Sequence, residues 1–308
     1  MRGILLAGDT GSLPSRAHPI SHPLMPVFDK PMIYYPLATL MLAGLREVLV
    51  VAAPHDGPPL QRLLRDGSHL GMTIRHAVRP EPRGAAGALL DAADFVAGGP
   101  VALMLGATLL HGPAVGAALA RHADVSGARV LAHRVRDPQE YDVVEVDGHG
   151  TVLSLEERPA RPRGDHAVTG LSFYDATAVD TAARLRPRAD GRLEAGDLNE
   201  AYRRRGSLRA SLLGPGTAWL ETTGFDALSA AGEFVRTVEV REGHKIGCIE
   251  EVAWRQGWID DAGLATLAVA AGRTGYGRYL RMLAGGYADA VIELPALRRA
   301  AGRAIHAG

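Results

Sequence analysis

Several features are scarce in this chain of 308 residues, and each scarcity excludes a class of protein. Cys248 is the single cysteine, which excludes an internal disulfide and a cysteine-based zinc site. No run approaches the ~18 consecutive apolar residues that a membrane-spanning helix requires. The apolar stretch near the first residue is also too short for a signal peptide. We therefore expect a cytoplasmic protein.

Charge of one sign and aromatic side chains are also in short supply. Lysine plus arginine number 34, aspartate plus glutamate number 34, and aromatic residues make up only 5% of the chain. A basic face with stacking aromatics, as used for single-stranded nucleic acid, is therefore not expected, nor is attraction to an anionic membrane. Lysine occurs only at Lys30 and Lys245. With nucleic acid and membrane both disfavoured, the expected partner is a small molecule.

Apolar runs alternate with helical patterns along the chain, which favours an α/β fold. The first run ends at a glycine-containing turn, residues 8–12, as in the opening of many nucleotide-binding units. Strand-like runs are Gly3–Ala7, Val48–Ala53, Val101–Leu105, Arg129–Ala132, Asp142–Val146, Val152–Leu155 and Leu171–Tyr174. Helix-like stretches are Pro36–Leu45, Gly84–Phe95, Val115–His122, Leu193–Arg205 and the region from about Phe225 to the end.

These patterns predict a Rossmann-like, mostly parallel sheet flanked by helices. The region Arg134–Asp175 is richer in strands and in proline and glycine, and indicates an antiparallel extension. Within it, Asp147-Gly148 between two strand-like runs predicts a hairpin. We expect an α/β domain over residues 1–240 and a helical C-terminal extension over 241–308, packed on the same domain.

Motifs spread over nearly the whole chain resemble the glucose-1-phosphate thymidylyltransferase family of sugar nucleotidylyltransferases. The resemblance implies Mg²⁺-dependent joining of a nucleoside triphosphate to a sugar 1-phosphate, in a homodimer or homotetramer. The motifs that carry it are Met1–Gly11, Phe28–Leu37, Leu40–Gly44, Leu155–Glu157, Ala167–Asp175, Asp197–Asn199, Ala218–Leu220 and Gly247–Ala253.

The phosphate-binding loop departs from the family pattern. Where the family has G-G-x-G-T-R-L, this chain has Asp9 in place of the second glycine and lacks the arginine. Arg16 lies nearby in the sequence and could replace it. The segment with Gly8 and Gly11 could still bind an anion, or it could be only a tight turn. His22 stands at a family lysine, either as a general acid or base or as an exposed loop histidine, and His18 is a weaker candidate of the same kind.

The metal and substrate motifs are altered as well. Ala107 falls where the resemblance implies a Mg²⁺-binding aspartate, and Glu221 falls at the second metal-binding aspartate. Asp142 replaces a glycine of the sugar pocket, and Arg79 replaces a glutamine that reads the thymine edge. We therefore expect no metal site and no cofactor. The substrate-binding residues that the resemblance implies are Gly8, Gly11, Arg79, Gly84, Glu157, Arg158, Thr169 and Gly170.

Three functions fit these substitutions. The first is a repurposed acid–base enzyme or small-molecule binder of a sugar or specialised-metabolite pathway, because new charges gather where the family's reacting groups would be. In it, His22, Asp9, Asp142 and Glu221 would be catalytic. Arg79 and Arg158 would hold the small-molecule ligand, which would be anionic or sugar-like. The second is a non-catalytic pseudoenzyme that partners an active relative. The third is a surviving Mg²⁺-dependent sugar-1-phosphate nucleotidylyltransferase, with Glu221 at an unconventional metal site.

Overall fold

The computed structural model describes residues 1–8, 21–81, 83–113, 115–122 and 124–285. Its strands are β1 Arg2–Ala7, β2 Pro26–Val27, β3 Lys30–Pro31, β4 Glu47–Ala52, β5 Thr73–Val78, β6 Val101–Leu105, β7 Thr108–His111, β8 Ala128–Arg134, β9 Val143–Val146, β10 Val152–Glu156, β11 His166–Tyr174, β12 Leu208–Leu212 and β13 Ala218–Glu221. Its helices are α1 Tyr34–Leu42, α2 Gly57–Leu64, α3 Gly84–Asp91, α4 Ala93–Val96, α5 Val115–Ala120, α6 Ala178–Ala183, α7 Ala195–Arg204, α8 Phe225–Glu242, α9 Ile249–Arg255, α10 Asp261–Ala270 and α11 Gly275–Ala284.

The central sheet of the described residues has nine strands, seven of them in the order β10-β9-β11-β6-β1-β4-β5. Strands β6, β1, β4 and β5 are parallel, whereas β11 runs antiparallel to β6, β8 and β9, and β12 joins the far edge of β8. The predicted fold class, a mostly parallel sheet with an antiparallel extension and helices at the C-terminal end, is therefore confirmed.

Both faces of the sheet are buried, which explains why its strands are continuous apolar runs. In β1, Ile4 and Leu6 pack into one hydrophobic cluster, and Leu5 and Ala7 pack into another on the opposite face. The second cluster also contains Ile249 of α9, so part of the C-terminal region packs on the same sheet. The domain boundary near residue 240 stays a prediction.

The strand β11 changes partners halfway along its length, and this opens the sheet. Its first residues pair with β9, the residues from Leu171 onward pair with β6, and the register against β8 shifts between Val168 and Ser172. Gly170 lies inside this irregularity with φ of +81°. Bulges of this kind bend a strand and end its pairing. The resulting gap between β9 and β6 is the floor of the candidate site.

Several element boundaries differ from the sequence-based prediction. The stretch Gly84–Phe95 forms two helices, because Ala92 leaves the helical conformation (φ −94°, ψ 10°) between α3 and α4. The predicted hairpin at Asp147-Gly148 is confirmed, with the Asp147 carboxylate accepting the backbone N–H groups of His149 and Thr151 at 2.8 Å. Strands β2, β3, β5, β7, β12 and β13 and helices α2 and α6 were not predicted. The region beyond 285 lies outside the described residues.

Candidate functional site

A cleft of about 450 Å³ opens above the gap in the sheet, beside the carboxyl ends of β1 and β6. Ligands of open α/β sheets bind at this edge, and the volume falls in the range of small-molecule sites. Five side chains or backbone positions predicted from the sequence line this cleft together: Asp142, Arg158, Thr169, Gly170 and Glu221.

Asp142 immediately precedes β9, at the point where pairing with β11 stops. Its carbonyl oxygen accepts the backbone N–H of Val168 at 2.8 Å, and its carboxylate accepts the backbone N–H of Arg158. Burial raises the pKa of the Asp142 carboxyl above its ordinary value, and the charges of Glu157 and Glu221 raise this pKa further, against the opposing charge of Arg158. The cleft therefore holds an aspartate whose negative charge is disfavoured by its surroundings.

Arg158 is the one cationic side chain on the cleft within the part of the chain that the structure describes. Its backbone has φ of +36°, an unusual value for a residue with a side chain, and such conformations concentrate at functional sites. Four carboxylates share the lining with it, those of Glu140, Asp142, Glu194 and Glu221. These acceptors suit the hydroxyl groups of a sugar, and the guanidinium suits one anionic group.

An aromatic wall on the cleft was not predicted from the sequence. The rings of Tyr141 and Trp219 lie 5.1 Å apart between centroids, and both side chains line the cleft. On β13, Trp219 and Glu221 share one face, while Leu220 packs against a hydrophobic cluster on the other. The alternation Trp-Leu-Glu, read as a strand, is the signal that could have placed Trp219 in the site.

Thr169 and Gly170 shape the cleft floor. The Thr169 hydroxyl donates to the carbonyl of Leu131 at 3.2 Å, and the Thr108 hydroxyl donates to the carbonyl of Thr169 at 3.2 Å. A Cβ atom at Gly170 would come within 2.8 Å of the Thr108 hydroxyl. Both positions therefore serve the geometry of the strand more directly than they serve a ligand.

His22 does not line the cleft. Its Nε2 lies 2.8 Å from the carbonyl oxygen of Thr222, which joins the short 3₁₀ helix His22–Leu24 to the segment after β13. Burial lowers the pKa of the His22 imidazole, so the ring is neutral at pH 7, and Nε2 must carry the proton that the carbonyl accepts. A catalytic role for His22 stays a prediction.

Arg79 and Glu157 are held by ion pairs beside the cleft. The Arg79 Nε lies 2.8 Å from Asp91, and its Nη1 donates to the carbonyl of Gly84 at 3.4 Å. The Glu157 carboxylate lies 3.0 Å from Arg188. Neither these two side chains nor Gly84 is among the cleft-lining groups.

Gly8 ends the described part of the first loop, with φ of +115°. A Cβ atom there would lie 2.9 Å from the carboxylate of Asp56, a buried residue that the sequence did not single out. Gly8 is not on the cleft lining either, and Asp9, Gly11, Arg16 and His18 lie outside the described residues. Their predicted roles are therefore not tested.

The donor set around Ala107 does not fit a resident magnesium ion. Ala107 lies on the cleft with a side chain that offers no oxygen, and Glu221, opposite Thr108 in the β7–β13 pair, is the nearby carboxylate. No group of three histidine, cysteine or carboxylate side chains converges in this cleft among the described residues. When the protein supplies one carboxylate, most of the other coordination positions of Mg²⁺ must be filled by substrate phosphates and water molecules. Among the described residues, the cleft therefore offers a magnesium ion a single carboxylate near Ala107, and a triphosphate substrate would have to supply most of the other ligands.

None of the helices in the described part of the chain combines the length and the apolar character needed to cross a membrane.

Comparison with known proteins identifies related sequences over almost the whole chain. The sequence profile described as nucleotidyl transferase matches residues 2–238. A glucose-1-phosphate thymidylyltransferase of Actinoplanes sp. is 48% identical over 306 residues, 98% of this chain and 100% of that protein. The protein of the same name from Mycolicibacterium smegmatis is 47% identical over 92% of this chain and 99% of its own length.

A solved structure has a similar fold. It is a crystal structure from Bacillus anthracis, assigned as a glucose-1-phosphate thymidylyltransferase in complex with a sucrose. It is 26% identical to this chain, covers 76% of it and 95% of its own length, and gives a TM-score of 0.68.

Proposed function

Because the chain belongs to the nucleotidyl transferase family, we propose that it transfers a nucleotidyl group from a nucleoside triphosphate to a sugar 1-phosphate. The names of the relatives that are 47–48% identical support this reaction. The observation that carries the proposal is the cleft itself, which is lined by one arginine and four carboxylate residues beside an aromatic wall. This arrangement suits a ligand with many hydroxyl groups and one phosphate.

The reaction requires positioning more than covalent chemistry from the protein. An oxygen of the sugar phosphate forms a bond to the α-phosphorus, the bond to the β-phosphate oxygen breaks, and pyrophosphate leaves with that electron pair. Arg158 would neutralise the sugar phosphate, and Asp142 and Glu221 would accept hydrogen bonds from sugar hydroxyls. The Trp219 ring would cover an apolar face of the sugar.

We further propose that thymine is not the selected base. Arg79, at the position of the base-reading glutamine in the resemblance, offers only donors and is engaged with Asp91 and the Gly84 carbonyl. An amide reads a base through a donor and an acceptor together, which this side chain cannot supply. Other nucleoside triphosphates should therefore compete with deoxythymidine triphosphate.

Pyrophosphate release tests the proposal. The purified protein is supplied with glucose 1-phosphate, Mg²⁺ and each nucleoside triphosphate in turn, with the Actinoplanes relative as a positive control. We expect release above the no-enzyme rate, and a loss of at least ~10-fold in kcat/KM for Arg158→Gln. Arg163→Gln is the matched control, since Arg163 is in the same loop and is not among the cleft-lining residues. Equal rates for the two variants would contradict the role of Arg158.

Ligand binding without transfer is a second candidate, and the alanine at position 107 favours it. Titration calorimetry with glucose 1-phosphate and with each triphosphate separates the two functions. Binding without pyrophosphate release supports the second candidate and, with it, the pseudoenzyme hypothesis. If the protein neither binds these ligands nor releases pyrophosphate, both candidate functions are contradicted. For the proposed transfer reaction, Ala107→Asp should raise the rate of release, because it returns a metal-binding carboxylate to the cleft.

The resemblance also supports self-association, and we propose a homodimer or homotetramer. Sedimentation velocity across a range of protein concentrations measures the mass directly, and a monomer at every concentration would contradict this proposal.

A further inference from the structure

A second cavity of about 800 Å³ lies between α1, the end of β7, the end of α8 and α9. Three side chains that can ligate a metal meet on its lining: His111, Glu242 and His244. Among the described residues, this is the group of three in which one ligand atom from each side chain lies within 4.8 Å of the others. The proposed nucleotidyl transfer makes no use of these residues.

The chain brings the three together through two separate features. His111 is the last residue of β7, where it pairs with Ala218. Glu242 is the last residue of α8, and Gly243 follows it in the left-handed conformation, with φ of +74°. That turn reverses the chain, so that the His244 Nε2 lies 3.2 Å from the Glu242 carboxylate.

The positions of the two imidazole rings are close to those of ligands that share one metal ion. Their centroids are 6.0 Å apart with an interplanar angle of 37°. Zn–N bonds of about 2.1 Å at a tetrahedral centre place two ring centroids roughly 5 Å apart. Small rotations of these side chains would therefore complete the geometry without a change in the backbone.

The surroundings favour a cation at this point. The carbonyl end of the 18-residue helix α8 carries partial negative charge. The ammonium group of Lys245, which follows His244 in the chain, is engaged by Asp29 and by Glu239, the latter at 2.7 Å. Phe234 packs against the His111 ring with an edge-to-face geometry and a centroid distance of 6.2 Å, which restrains one ligand before metal arrives.

We propose that His111, Glu242 and His244 form a zinc site. Two imidazoles and one carboxylate suit zinc better than magnesium or calcium, which prefer sets made only of oxygen atoms. The fourth position faces the cavity and would hold a water molecule. Because the ligands come from β7 and from both sides of the α8 terminus, bound zinc would fasten the end of α8 to the β7–β13 pair.

Zinc binding by tag-free, chelator-treated protein tests the proposal. Titration calorimetry should show one tight binding site for Zn²⁺. Mg²⁺ should bind to the protein at least ~1,000-fold more weakly, which distinguishes this site from a general site for divalent cations. Substitution with Co²⁺ should give the visible absorption of a tetrahedral complex. Wild-type protein without a stoichiometric zinc site would overturn the proposal.

Variants then locate the site. His244→Ala and Glu242→Gln should each weaken Zn²⁺ binding at least ~10-fold and reduce the cobalt absorption. His149→Ala, in an exposed loop, is the matched control and should bind as wild type does. His111→Gln gives a second ligand variant if His244→Ala fails to fold, as judged by circular dichroism. Unchanged affinity in a folded ligand variant would show that zinc binds elsewhere and would overturn the assignment.

Discussion

At the scale of single residues, Asp142 is the clearest case of a cleft side chain whose negative charge is disfavoured by its surroundings. Its carboxylate is partly buried and is close enough to Glu157 and Glu221 to be repelled by their charges. The charge of Arg158, together with its backbone N–H, which donates to this carboxylate, offsets part of these costs. A carboxyl whose pKa is raised in the folded protein binds its proton more tightly there than in the unfolded chain. The free energy of unfolding therefore falls as pH rises through that pKa.

Asp142→Asn should raise the unfolding temperature at pH 7, by roughly 2 °C, because it removes a carboxylate that burial and like charges disfavour. The gain should disappear below the ordinary aspartate pKa of 3.8, where both states of the wild type are protonated. Thermal unfolding followed by circular dichroism from pH 3.5 to 7.5 measures the difference. Asp137→Asn, at an exposed site, is the control, and a pH-independent gain would contradict the explanation.

At the scale of the elements, the N-terminal end of α3 contacts the segment that leads into α7, beside the cleft. The carbonyl of Leu193 accepts the backbone N–H groups of Ala86 at 2.9 Å and Gly87 at 3.2 Å, and so caps the first turn of α3. Gly84 makes this approach possible, since a Cβ atom there would lie 2.3 Å from the same carbonyl oxygen. The first turn of α7 then supplies Glu194, Ala195 and Gly196 to the cleft.

Gly84→Ala should destabilise the protein by more than the ~1–2 kcal/mol that a left-handed conformation costs a residue with a side chain, because the carbonyl must also move. It should weaken sugar-phosphate binding as well, since α7 shifts with that carbonyl. Gly98→Ala has a matching φ of +67° and no neighbour within 4 Å, so it should show the conformational cost alone. Urea unfolding and titration calorimetry compare the two, and equal losses would contradict the argument.

The sequence predicted the elements with strong local signals and missed those defined by distant partners. Continuous apolar runs identified β1, β4 and β6, because strands buried on both faces need no alternation. Strands β12 and β13 are short and carry polar residues, and they exist because β8 and β7 lie beside them. Trp219 was missed for the same reason, since a residue on an unrecognised strand has no assigned face.

The candidate site was predicted in part. The resemblance implied that Asp142, Arg158 and Glu221 would lie on one cleft, and all three line the cleft in the structure. The spacing of motifs along the sequence does not show which hydrogen-bond or ion-pair partner a side chain has in the folded protein. The imidazole of His22 contacts the Thr222 carbonyl, and the guanidinium of Arg79 contacts Asp91, so each is engaged beside the cleft. These pairings join residues 200 and 12 positions apart, and only the tertiary structure reveals them.

At the scale of the whole molecule, the chain's two lysines meet in one buried ion network. The Lys30 ammonium, with its side chain 1% exposed, lies 2.5 Å from Asp29 and 2.7 Å from Glu239. Lys245 contacts the same two carboxylates, and the backbone N–H of Ile246 donates to Glu239 at 3.0 Å. The network links the β2–β3 hairpin to α8 and to the loop that leads into the C-terminal helices.

Lys30→Met should destabilise the protein by about 3 kcal/mol, because two carboxylates would then share one ammonium in a buried environment. The double variant Lys30→Met with Glu239→Gln should recover part of that loss, since one lysine and one aspartate remain as a balanced pair. Arg236→Met is the control for an exposed ion pair, with Glu233 at 2.8 Å, and should cost under ~1 kcal/mol. Urea unfolding measures all three. If Lys30→Met lost no more stability than Arg236→Met, the network would not be what holds the N-terminal hairpin to the C-terminal half of the molecule.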